Sequence, residues 1–423
     1  MTGSLRDASP YAGYLYSYPH KTAYRPLGAP VSLASLWEAD QACALYVHVP
    51  FCEMRCGFCN LFTRSRPPAD VVDDWLATLQ RQARVVDTLL GDGVVDRYAI
   101  GGGTPTMLSP GQLQAVLDIV GRFVVGRHGS VETSPATATP ERLAVLAGAG
   151  VTRVSLGVQS FEDAEVATAL RPQTGPSVAR ALDALRHAGF ETLNLDLIYG
   201  IPGQTAESWE RSLRAALKWS PEELYLYPLY VRPLTGMARR ERSPDDSLRM
   251  ELYRLGRDLL VGEGYEQLSM RNFWKRRRQD DRGKWPRCEG DAMIGLGVGA
   301  RSYTTGLHFA TDYAVGARGV DAIIDAWIAR SDADFGVATH GIRLDEAERD
   351  RRQFLMRFLA LEFVSSVPED LQTFVARLVQ DGLAAWRSAG VQLTPDGVAL
   401  SDAIGPALIS DAVRARMAAW EAR

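Results

Sequence analysis

The sequence predicts an α/β fold built on a parallel β-sheet. From residue 44 onward, short apolar runs rich in β-branched residues alternate with helical segments. Strict alternation of this kind requires right-handed crossovers and gives either an open doubly wound sheet or a barrel-like one. Six strands are predicted, over residues 44–50, 97–103, 130–135, 153–160, 192–200 and 223–230.

Helices are predicted between these strands. Apolar residues from Leu76 to Leu90 recur at spacings of three and four, which indicates a helix that ends at Gly91. Three further helices are expected to begin where a hydroxyl residue precedes a proline, because proline lacks an N–H that the first helical position does not need. These starts are Ser109-Pro110, Thr139-Pro140 and Ser243-Pro244.

The length of 423 residues is enough for two or three domains at roughly 150 residues each. We expect a tyrosine-rich arm over residues 1–43, a barrel core over 44–310 and a small helical, winged-helix-like domain over 311–423. Residues 345–382 are predicted to be helical, and residues 391–399 to form a hairpin wing that turns at Thr394 to Gly397. The arm is interpreted either as a surface tail or as a lid with aromatic contacts.

Composition excludes several classes of protein. The hydrophobic fraction of 46% and charged fraction of 23% predict a globule rather than a disordered chain. A net charge of −4 gives no general attraction to nucleic acid or to an anionic membrane. No apolar run reaches the roughly 18 residues of a membrane span, and the N-terminus does not resemble a signal peptide. We expect a cytoplasmic monomer with no membrane or nucleic-acid partner.

Three of the five cysteines form a close motif directly after the first predicted strand. Cys52, Cys56 and Cys59 have the spacing C-x3-C-x2-C. With His48 they could form a closed tetrahedral zinc site. Alternatively, three thiolates could hold a [4Fe–4S] cluster and leave its fourth iron open. The location of all three cysteines in one loop at the carboxyl end of a strand, where α/β proteins build active sites, favours the cluster.

The cysteine spacing, with the aromatic Phe58 before the last cysteine, resembles the signature of the radical S-adenosylmethionine (SAM) superfamily. Further motifs resemble the oxygen-independent coproporphyrinogen III oxidase (HemN-like) family over roughly residues 44 to 310. They are the stretches 46–52, 101–105, 157–160 and 196–202. The resemblance implies a partial (β/α)6 TIM-like barrel, a [4Fe–4S] cluster on the three cysteines and SAM, expected as two molecules.

The resemblance also assigns site residues, and their types suit the roles. A glycine run that ends a strand lets backbone groups approach a ligand, and polar residues at this end of a barrel converge on one cavity. The methionyl part of SAM is expected at Gly102, Gly103, Thr104 and Glu132. Its ribose and adenine are expected at Gln159, Arg171, Asp196 and Ile198, with Phe58 on the adenine. Tyr46 is expected beside the cluster, and Tyr46, Gln159 and Arg171 are the expected catalytic side chains.

Three activities occur among the proteins that this sequence resembles: oxidative decarboxylation of coproporphyrinogen, methyl or methylene transfer by class C methylases, and haem carriage. Residue 61 is Leu where the decarboxylases have a cysteine, and Arg271 precedes Asn272 where the carriers have a histidine. We therefore expect transfer of a SAM-derived methyl or methylene group to an sp2 carbon of a planar aromatic or tetrapyrrole-like molecule, including cyclopropane formation. Decarboxylation and haem carriage stay as alternatives. A flavodoxin- or ferredoxin-type protein is the expected electron donor.

A basic segment spans residues 271–287, where lysines and arginines are interleaved with Phe273, Trp274 and Trp285. It could be a groove for single-stranded nucleic acid, a clamp for a carboxylated small molecule, or a solvated loop. Cys288 is interpreted as an inert thiol.

Overall fold

The computed structural model describes residues 9–37, 43–91, 95–240, 245–275 and 292–421. Thirteen strands of this part of the chain form one sheet, and two pairs of strands lie apart from it. The strands are β1 (Arg25–Ser32), β2 (Cys43–Val49), β3 (Phe51–Cys52), β4 (Arg64–Ser65), β5 (Val95–Gly102), β6 (Val124–Thr133), β7 (Arg153–Gln159), β8 (Thr192–Tyr199), β9 (Glu223–Pro228), β10 (Tyr265–Gln267), β11 (Asn272–Lys275), β12 (Ala292–Leu296), β13 (Arg301–Tyr303), β14 (Leu307–Ala310), β15 (Val337–Arg343), β16 (Ala384–Arg387) and β17 (Gly390–Leu393).

Helices connect and cover these strands. They are α1 (Ala69–Leu90), α2 (Pro110–Val120), α3 (Pro140–Gly148), α4 (Asp163–Thr168), α5 (Gly175–Ala188), α6 (Ala206–Leu217), α7 (Asp246–Gly262), α8 (Ala317–Ile328), α9 (Glu346–Leu359), α10 (Gln372–Gln380), α11 (Pro395–Ala399), α12 (Ser401–Ala407) and α13 (Asp411–Ala418). None of these helices is long and apolar enough to cross a bilayer.

The six predicted strands form the centre of the sheet. Strands β2, β5, β6, β7, β8 and β9 lie side by side in chain order, and each neighbouring pair is parallel. A helical connection separates each strand from the next. This order confirms the predicted α/β fold with a partial (β/α)6 barrel. The sheet continues on both edges, through β11 and β10 beyond β9 and through β12 to β15 and then β1 beyond β2.

The barrel strands have one apolar and one polar face, because successive side chains of a strand point to opposite sides of the sheet. In β8, Leu193, Leu195 and Leu197 are buried under the helices. Asn194 and Asp196 lie on the other face and line a cavity. The same alternation holds along β7 and β9. The main hydrophobic core therefore lies between the sheet and its helices, and the concave face carries polar groups.

Two of the three predicted helix starts are confirmed. The Ser109 hydroxyl accepts a hydrogen bond from the backbone N–H of Gln112 and caps α2, and α3 begins at Pro140 after Thr139. The third start, at Ser243-Pro244, lies outside the described residues. Helix α7 instead begins at Asp246, and its cap is the carboxylate of Asp245, which accepts from the N–H of Ser247.

The N-terminal arm is an ordered part of the fold over its described residues. Tyr11, Tyr18 and Tyr24 are buried, and β1 pairs with β15 as an antiparallel strand. Strand β1 was not predicted from the sequence, because it contains two prolines and a glycine, which ordinarily indicate a loop. An edge strand tolerates proline, since one side of its backbone needs no sheet partner.

The C-terminal part follows the sequence prediction except at the hairpin. Helices α9 and α10 lie within the predicted helical region. The hairpin is β16 with β17, which precedes the position predicted for its turn. Thr394 instead accepts a hydrogen bond from the N–H of Gly397 and caps α11. The predicted turn is wrong because a threonine before a proline is also a helix start, as at Thr139.

Residues 276–291, which hold most of the basic segment and Cys288, lie outside the described residues. The division into an arm, a core and a C-terminal domain stays a prediction.

Candidate active site

A large cavity opens on the concave face of the barrel, where strands β5 to β9 end. Its volume is about 2420 Å³, more than twice the roughly 1,000 Å³ at the upper end of ordinary ligand pockets. The barrel strands, the cysteine loop, arm residues from Ala12 to Thr22 and parts of the C-terminal region all line it. Every site residue predicted from the sequence lines this cavity.

The cysteine loop is held by backbone hydrogen bonds to two other segments. The N–H of Gly57 donates to the carbonyl of Ala169 at 3.0 Å, and the N–H of Met237 donates to the carbonyl of Gly57 at 2.8 Å. A Cβ on Gly57 would lie 2.8 Å from that carbonyl oxygen of Ala169. The middle of the loop can approach α4 this closely only because residue 57 has no side chain.

The three thiols share one surface of the cavity and have distinct neighbours. Cys52 Sγ lies 3.7 Å from the hydroxyl of Thr104, and Cys56 Sγ lies 3.1 Å from a guanidinium nitrogen of Arg171. Burial raises the pKa of the Cys52 thiol to about 12. A metal bound by this thiol has to displace its proton, because the thiolate is the form that coordinates.

This arrangement fits an iron–sulfur cluster better than a zinc ion. Among the described residues, no three His, Cys, Asp or Glu side chains come together closely enough to hold one metal ion. His48 has other partners, because its Nε2 lies 3.0 Å from the carbonyl of Phe62 and its Nδ1 lies 3.2 Å from the hydroxyl of Tyr46. A cubane spreads its ligands over several irons, whereas a zinc site needs four donors around one ion.

The hydrogen-bond partners of His48 determine which of its ring nitrogens carries the proton. A carbonyl oxygen can only accept, so Nε2 carries the proton and donates it to Phe62, and Nδ1 accepts from Tyr46. Burial lowers the pKa of His48 to about 4. The imidazole is therefore neutral near neutral pH, and Tyr46, a predicted catalytic side chain, is positioned by it.

The glycine run at the end of β5 allows the cavity wall to pack tightly. Gly102 has a φ of +104°, and a Cβ there would lie 2.4 Å from the His48 ring. A Cβ on Gly103 would lie 2.2 Å from the carbonyl oxygen of Phe51. Both positions require glycine for these physical reasons, whatever ligand the cavity holds.

Two predicted carboxylates face the cavity from neighbouring regions of the sheet. Glu132 accepts a hydrogen bond from the N–H of Gly102 at 3.2 Å. Asp196 accepts from Asn194 at 2.8 Å and from Ser155 at 3.2 Å. Burial, together with the charge of Asp196, raises the pKa of Glu132 to about 7, and burial raises that of Asp196 to about 6. Such carboxylates suit a ligand with positive and hydroxyl groups.

Arg171 joins the cysteine loop to the end of β7. Besides the Cys56 thiol, its guanidinium donates to the carbonyl of Gly157 at 2.5 Å and to the side chain of Gln173 at 2.6 Å. Gln159 lies in this segment with a φ of +70°, which is unusual for a residue with a side chain. Strained backbone of this kind is common at ligand sites.

The remaining two predicted site residues, Phe58 and Ile198, form an apolar part of the cavity wall. Phe58 packs against a small cluster that contains Ile198, Ile201, Leu229 and Met237. This cluster lies between the cysteine loop and the ends of β8 and β9. It offers a flat apolar surface of the kind that an adenine ring would require.

A polar network in the cavity was not predicted from the sequence. Arg153 donates to Glu223 and to Ser130, both at 2.7 Å. Asn272 donates to Glu223 at 3.0 Å and to the hydroxyl of Tyr225 at 2.9 Å. The signal that could have found it is the alternation of polar and apolar residues along β7, β8 and β9. A strand of a fully buried parallel sheet is apolar on both faces. The alternation therefore indicates that the inner face of the barrel sheet lines a cavity accessible to solvent.

Aromatic side chains also line the cavity. Tyr225 and Tyr227 stack at 5.6 Å between ring centres, and Tyr14 of the arm meets Tyr227 edge-on at 6.5 Å. Tyr16 lies 5.5 Å from Tyr14. We call Tyr14, Tyr16, Tyr225 and Tyr227 the tyrosine wall. Residues of the arm thus form part of the cavity wall.

The fold and the cysteine loop define a radical SAM protein, and the Radical SAM superfamily model matches residues 46–216. The chain belongs to the HemN-like family within that superfamily, as its sequence relatives show. Its cofactors are accordingly a [4Fe–4S] cluster and SAM. The number of SAM molecules and the roles of the individual site residues stay predictions.

The relatives are of two kinds. The chain is 32% identical to the heme chaperone HemW of Bacillus subtilis over 275 residues, covering 62% of this chain and 71% of that protein. It is 34% identical to HemW of Mycobacterium tuberculosis over 287 residues, covering 65% and 73%. It is 33% identical to the oxygen-independent coproporphyrinogen III oxidase of Paracoccus denitrificans over 273 residues, covering 61% and 59%.

The fold is also similar to a solved structure over nearly its whole length. Coproporphyrinogen III oxidase (HemN) from Escherichia coli superposes with a TM-score of 0.79, covering 94% of this chain and 97% of that one. The sequence identity is 21%, so this likeness shows the fold alone.

These findings correct the expected reaction. The reaction expected from the sequence, methyl transfer or cyclopropane formation, is wrong. The relatives are heme chaperones and coproporphyrinogen oxidases, so the alternatives considered in the sequence analysis fit better than methyl transfer. Leu61 and Arg271 depart from the family pattern at two single positions, which say less about the reaction than the similarity over 275 residues.

Proposed function

We propose that this protein is a radical SAM enzyme that oxidatively decarboxylates a propionate side chain of a reduced tetrapyrrole, as coproporphyrinogen oxidases do. The observation that carries the proposal is one cavity of about 2420 Å³ that is lined by both the cysteine loop and the tyrosine wall. A planar macrocycle needs more space than an ordinary pocket offers, and it needs flat apolar surfaces to lie against.

When bound, the cluster and SAM supply hydrogen abstraction by a carbon radical. The protein must therefore position one C–H bond of the substrate and exclude water from the site. Glu132 and Asp196 hold the polar groups of SAM, and Arg171 holds the cysteine loop against β7. The tyrosine wall and the arm cover the macrocycle.

The reaction balances with an electron acceptor. Loss of one hydrogen atom from the propionate β-carbon, followed by loss of CO2, converts the side chain to a vinyl group and leaves one electron. An external one-electron acceptor must take up that electron. Reductive cleavage of SAM separately requires one electron from a donor, and we propose a flavodoxin- or ferredoxin-type protein for it. Leu61, which is 46% exposed beside the cysteine loop, is a point where such a protein could contact the chain.

Haem carriage is the second candidate, because the heme chaperones are relatives of this chain over two thirds of their length. One structural feature weighs against it. Arg271, at the position where the sequence analysis expected a histidine in carriers, is 3% exposed and paired with Asp402, so it does not line the cavity. A haem bound in the cavity would therefore need another residue as the ligand of its iron.

The test is anaerobic incubation of the reconstituted protein with SAM, dithionite and coproporphyrinogen III, followed by mass spectrometry. We expect 5′-deoxyadenosine together with a product that has lost CO2 and two hydrogens. Tight haem binding with no SAM cleavage would support the carrier instead. Unchanged coproporphyrinogen beside 5′-deoxyadenosine would overturn the decarboxylase with this substrate.

We further propose that the chain acts as a cytoplasmic monomer, with the arm, core and C-terminal domain divided near residues 43 and 310.

A further inference from the structure

Among the residues that the structure describes, six lysine and arginine side chains line the cavity, and they fall into two groups. In the first group, each side chain has an ion-pair or hydrogen-bond partner within the protein. Arg153 pairs with Glu223 at 2.6 Å, Arg357 pairs with Glu362 at 2.8 Å, and Arg171 is held by Gln173, Cys56 and Gly157. The second group, which we call the basic corner, consists of Lys21 and Arg232, which form no ion pair with a described residue, and of Arg301, which contacts Ser17 and Tyr16; His20 lies beside them.

The arm fixes two members of the basic corner. The ammonium of Lys21 lies 3.5 Å from the centre of the Tyr313 ring, and it forms no ion pair with a described residue. His20 Nδ1 accepts a hydrogen bond from the backbone N–H of Thr22. Its neutral ring therefore carries the proton on Nε2, which is available as a donor. Tyr16 packs edge-on against this ring at 5.4 Å.

The barrel side supplies the two arginines. Arg301 on β13 donates to the hydroxyl of Ser17 at 3.1 Å, and its guanidinium lies 4.8 Å from the centre of the Tyr16 ring. Arg232 follows β9, and its guanidinium lies 4.5 Å from the Tyr230 ring. Arg232 forms no ion pair with any described residue. Cations over aromatic rings keep their charge, and they can still bind an anion.

The groups of the basic corner repel one another. Burial lowers the pKa of His20, and the charges of Lys21, Arg301 and Arg232 lower it further. Clustered cations of this kind are unfavourable without a counter-ion, and an incoming anion relieves the repulsion.

We propose that His20, Lys21, Arg232 and Arg301 form a binding subsite for a carboxylate of the substrate, next to the tyrosine wall that holds its ring. This inference rests on the proposed function, and it adds the residues that recognise the substrate. The tyrosine wall lies next to the basic corner, because Tyr16 contacts both Tyr14 and His20. The cavity thus has one surface for a planar ring and an adjacent one for an anionic side chain.

The test compares coproporphyrin III, a stable porphyrin with four propionates, with its uncharged tetramethyl ester. Affinities are measured by fluorescence on the anaerobically reconstituted protein. We expect the wild type to prefer the acid, and Lys21→Gln and Arg232→Gln each to weaken acid binding by about tenfold while ester binding is unchanged. Lys21→Arg, which keeps the charge, should restore most of the loss.

The matched control is Arg357→Gln, which removes the same charge from the same cavity but from an arginine already paired with Glu362. It should change acid binding by less than about twofold. Iron content and melting temperature show whether each variant is folded. Acid binding at wild-type strength in both folded variants would overturn the subsite, and so would an equal loss of acid and ester binding.

Failure of the proposed function is a separate outcome. If the wild type binds neither porphyrin, the tetrapyrrole proposal is wrong. The subsite is then tested with benzene-1,3,5-tricarboxylate, a planar tricarboxylate small enough for any cavity of this size. Weaker binding of this compound to Lys21→Gln and Arg232→Gln than to the wild type would support the subsite, and equal binding would overturn it.

Discussion

The guanidinium of Arg271 and the carboxylate of Asp402 form an ion pair that is almost fully buried, with 4% and 2% of their side chains exposed. Arg271 precedes β11 at one edge of the barrel sheet, and Asp402 lies in α12. Asp402 also accepts a hydrogen bond from the hydroxyl of Tyr230, and its backbone carbonyl accepts from the N–H of Gly13 in the arm. One residue thus connects the barrel, the arm and the C-terminal helices around the cavity.

Replacement of Asp402 by alanine should destabilise the protein strongly. A buried pair that loses one partner leaves an uncompensated charge, which typically costs about 3 to 5 kcal/mol. Urea unfolding of the Asp402→Ala variant measures this loss. The control is Glu210→Ala, whose partner Arg214 is exposed, and we expect a loss below about 1 kcal/mol. Similar losses in the two variants would contradict the importance of the buried pair.

This pair shows what the sequence could not provide. In the sequence, Arg271 stands out only as a departure from a family pattern, and its partner Asp402 is 131 positions away. Local patterns predicted the six central strands and the cysteine loop because these depend on neighbouring residues. The contacts between the arm, the barrel and the C-terminal helices depend on tertiary packing, which no local pattern encodes.

The Arg171 contact to Cys56 should influence the cluster. A hydrogen bond to a cysteine ligand stabilises the added negative charge of the reduced cluster and raises its reduction potential. Arg171→Ala should therefore lower the potential by roughly 20 to 60 mV, the one-electron equivalent of a hydrogen bond of about 0.5 to 1.5 kcal/mol. Potentiometric titration monitored by electron paramagnetic resonance measures the shift. An unchanged potential, with Arg211→Ala on the surface as control, would show that the contact has no electronic effect.

The pKa of Glu132, about 7, predicts how SAM affinity depends on pH. Below pH 7 the carboxylate takes up a proton and no longer attracts the ammonium group of SAM. Affinity should therefore fall on the order of tenfold between pH 7.5 and 5.5. Equilibrium dialysis against the reconstituted protein measures this profile.

Two variants of this carboxylate pair make the pH experiment specific. Glu132→Gln should bind weakly and show a nearly flat profile. Asp196→Asn should move the midpoint to lower pH, because the charge of Asp196 helps to raise the pKa of Glu132. A wild-type profile without a midpoint near pH 7 would contradict the assignment of Glu132.

The neutral state of His48 predicts a pH-dependent stability. Its folded-state pKa of about 4 lies below the ordinary value of about 6.5. Between these values the unfolded chain binds more protons, so stability falls as the pH drops from 6.5 toward 4, by about 2 to 3 kcal/mol from this group. Urea unfolding of the cluster-free protein at pH 7 and pH 4.5 should show a smaller difference for His48→Gln than for the wild type. Equal differences would mean that His48 is not the neutral ring described above.

The candidate site was predictable in part. The cysteines, the glycine run and the carboxylates belong to motifs that keep their order along the chain. The polar network of Arg153, Glu223 and Asn272 belongs to no such motif, and it depends on which face of each strand is turned inward. The basic corner could not be predicted, since Lys21 and Arg301 meet only after the arm has folded over the barrel.

The central claim is that Cys52, Cys56 and Cys59 hold a [4Fe–4S] cluster with one open iron facing the cavity. Mössbauer spectroscopy of protein reconstituted anaerobically with 57Fe, with and without SAM, tests it most directly. We expect about four irons per chain and a change at one of the four iron sites when SAM is added, with the cluster lost in Cys56→Ala. Stoichiometric zinc without iron, or a cluster whose four sites do not respond to SAM, would contradict the claim.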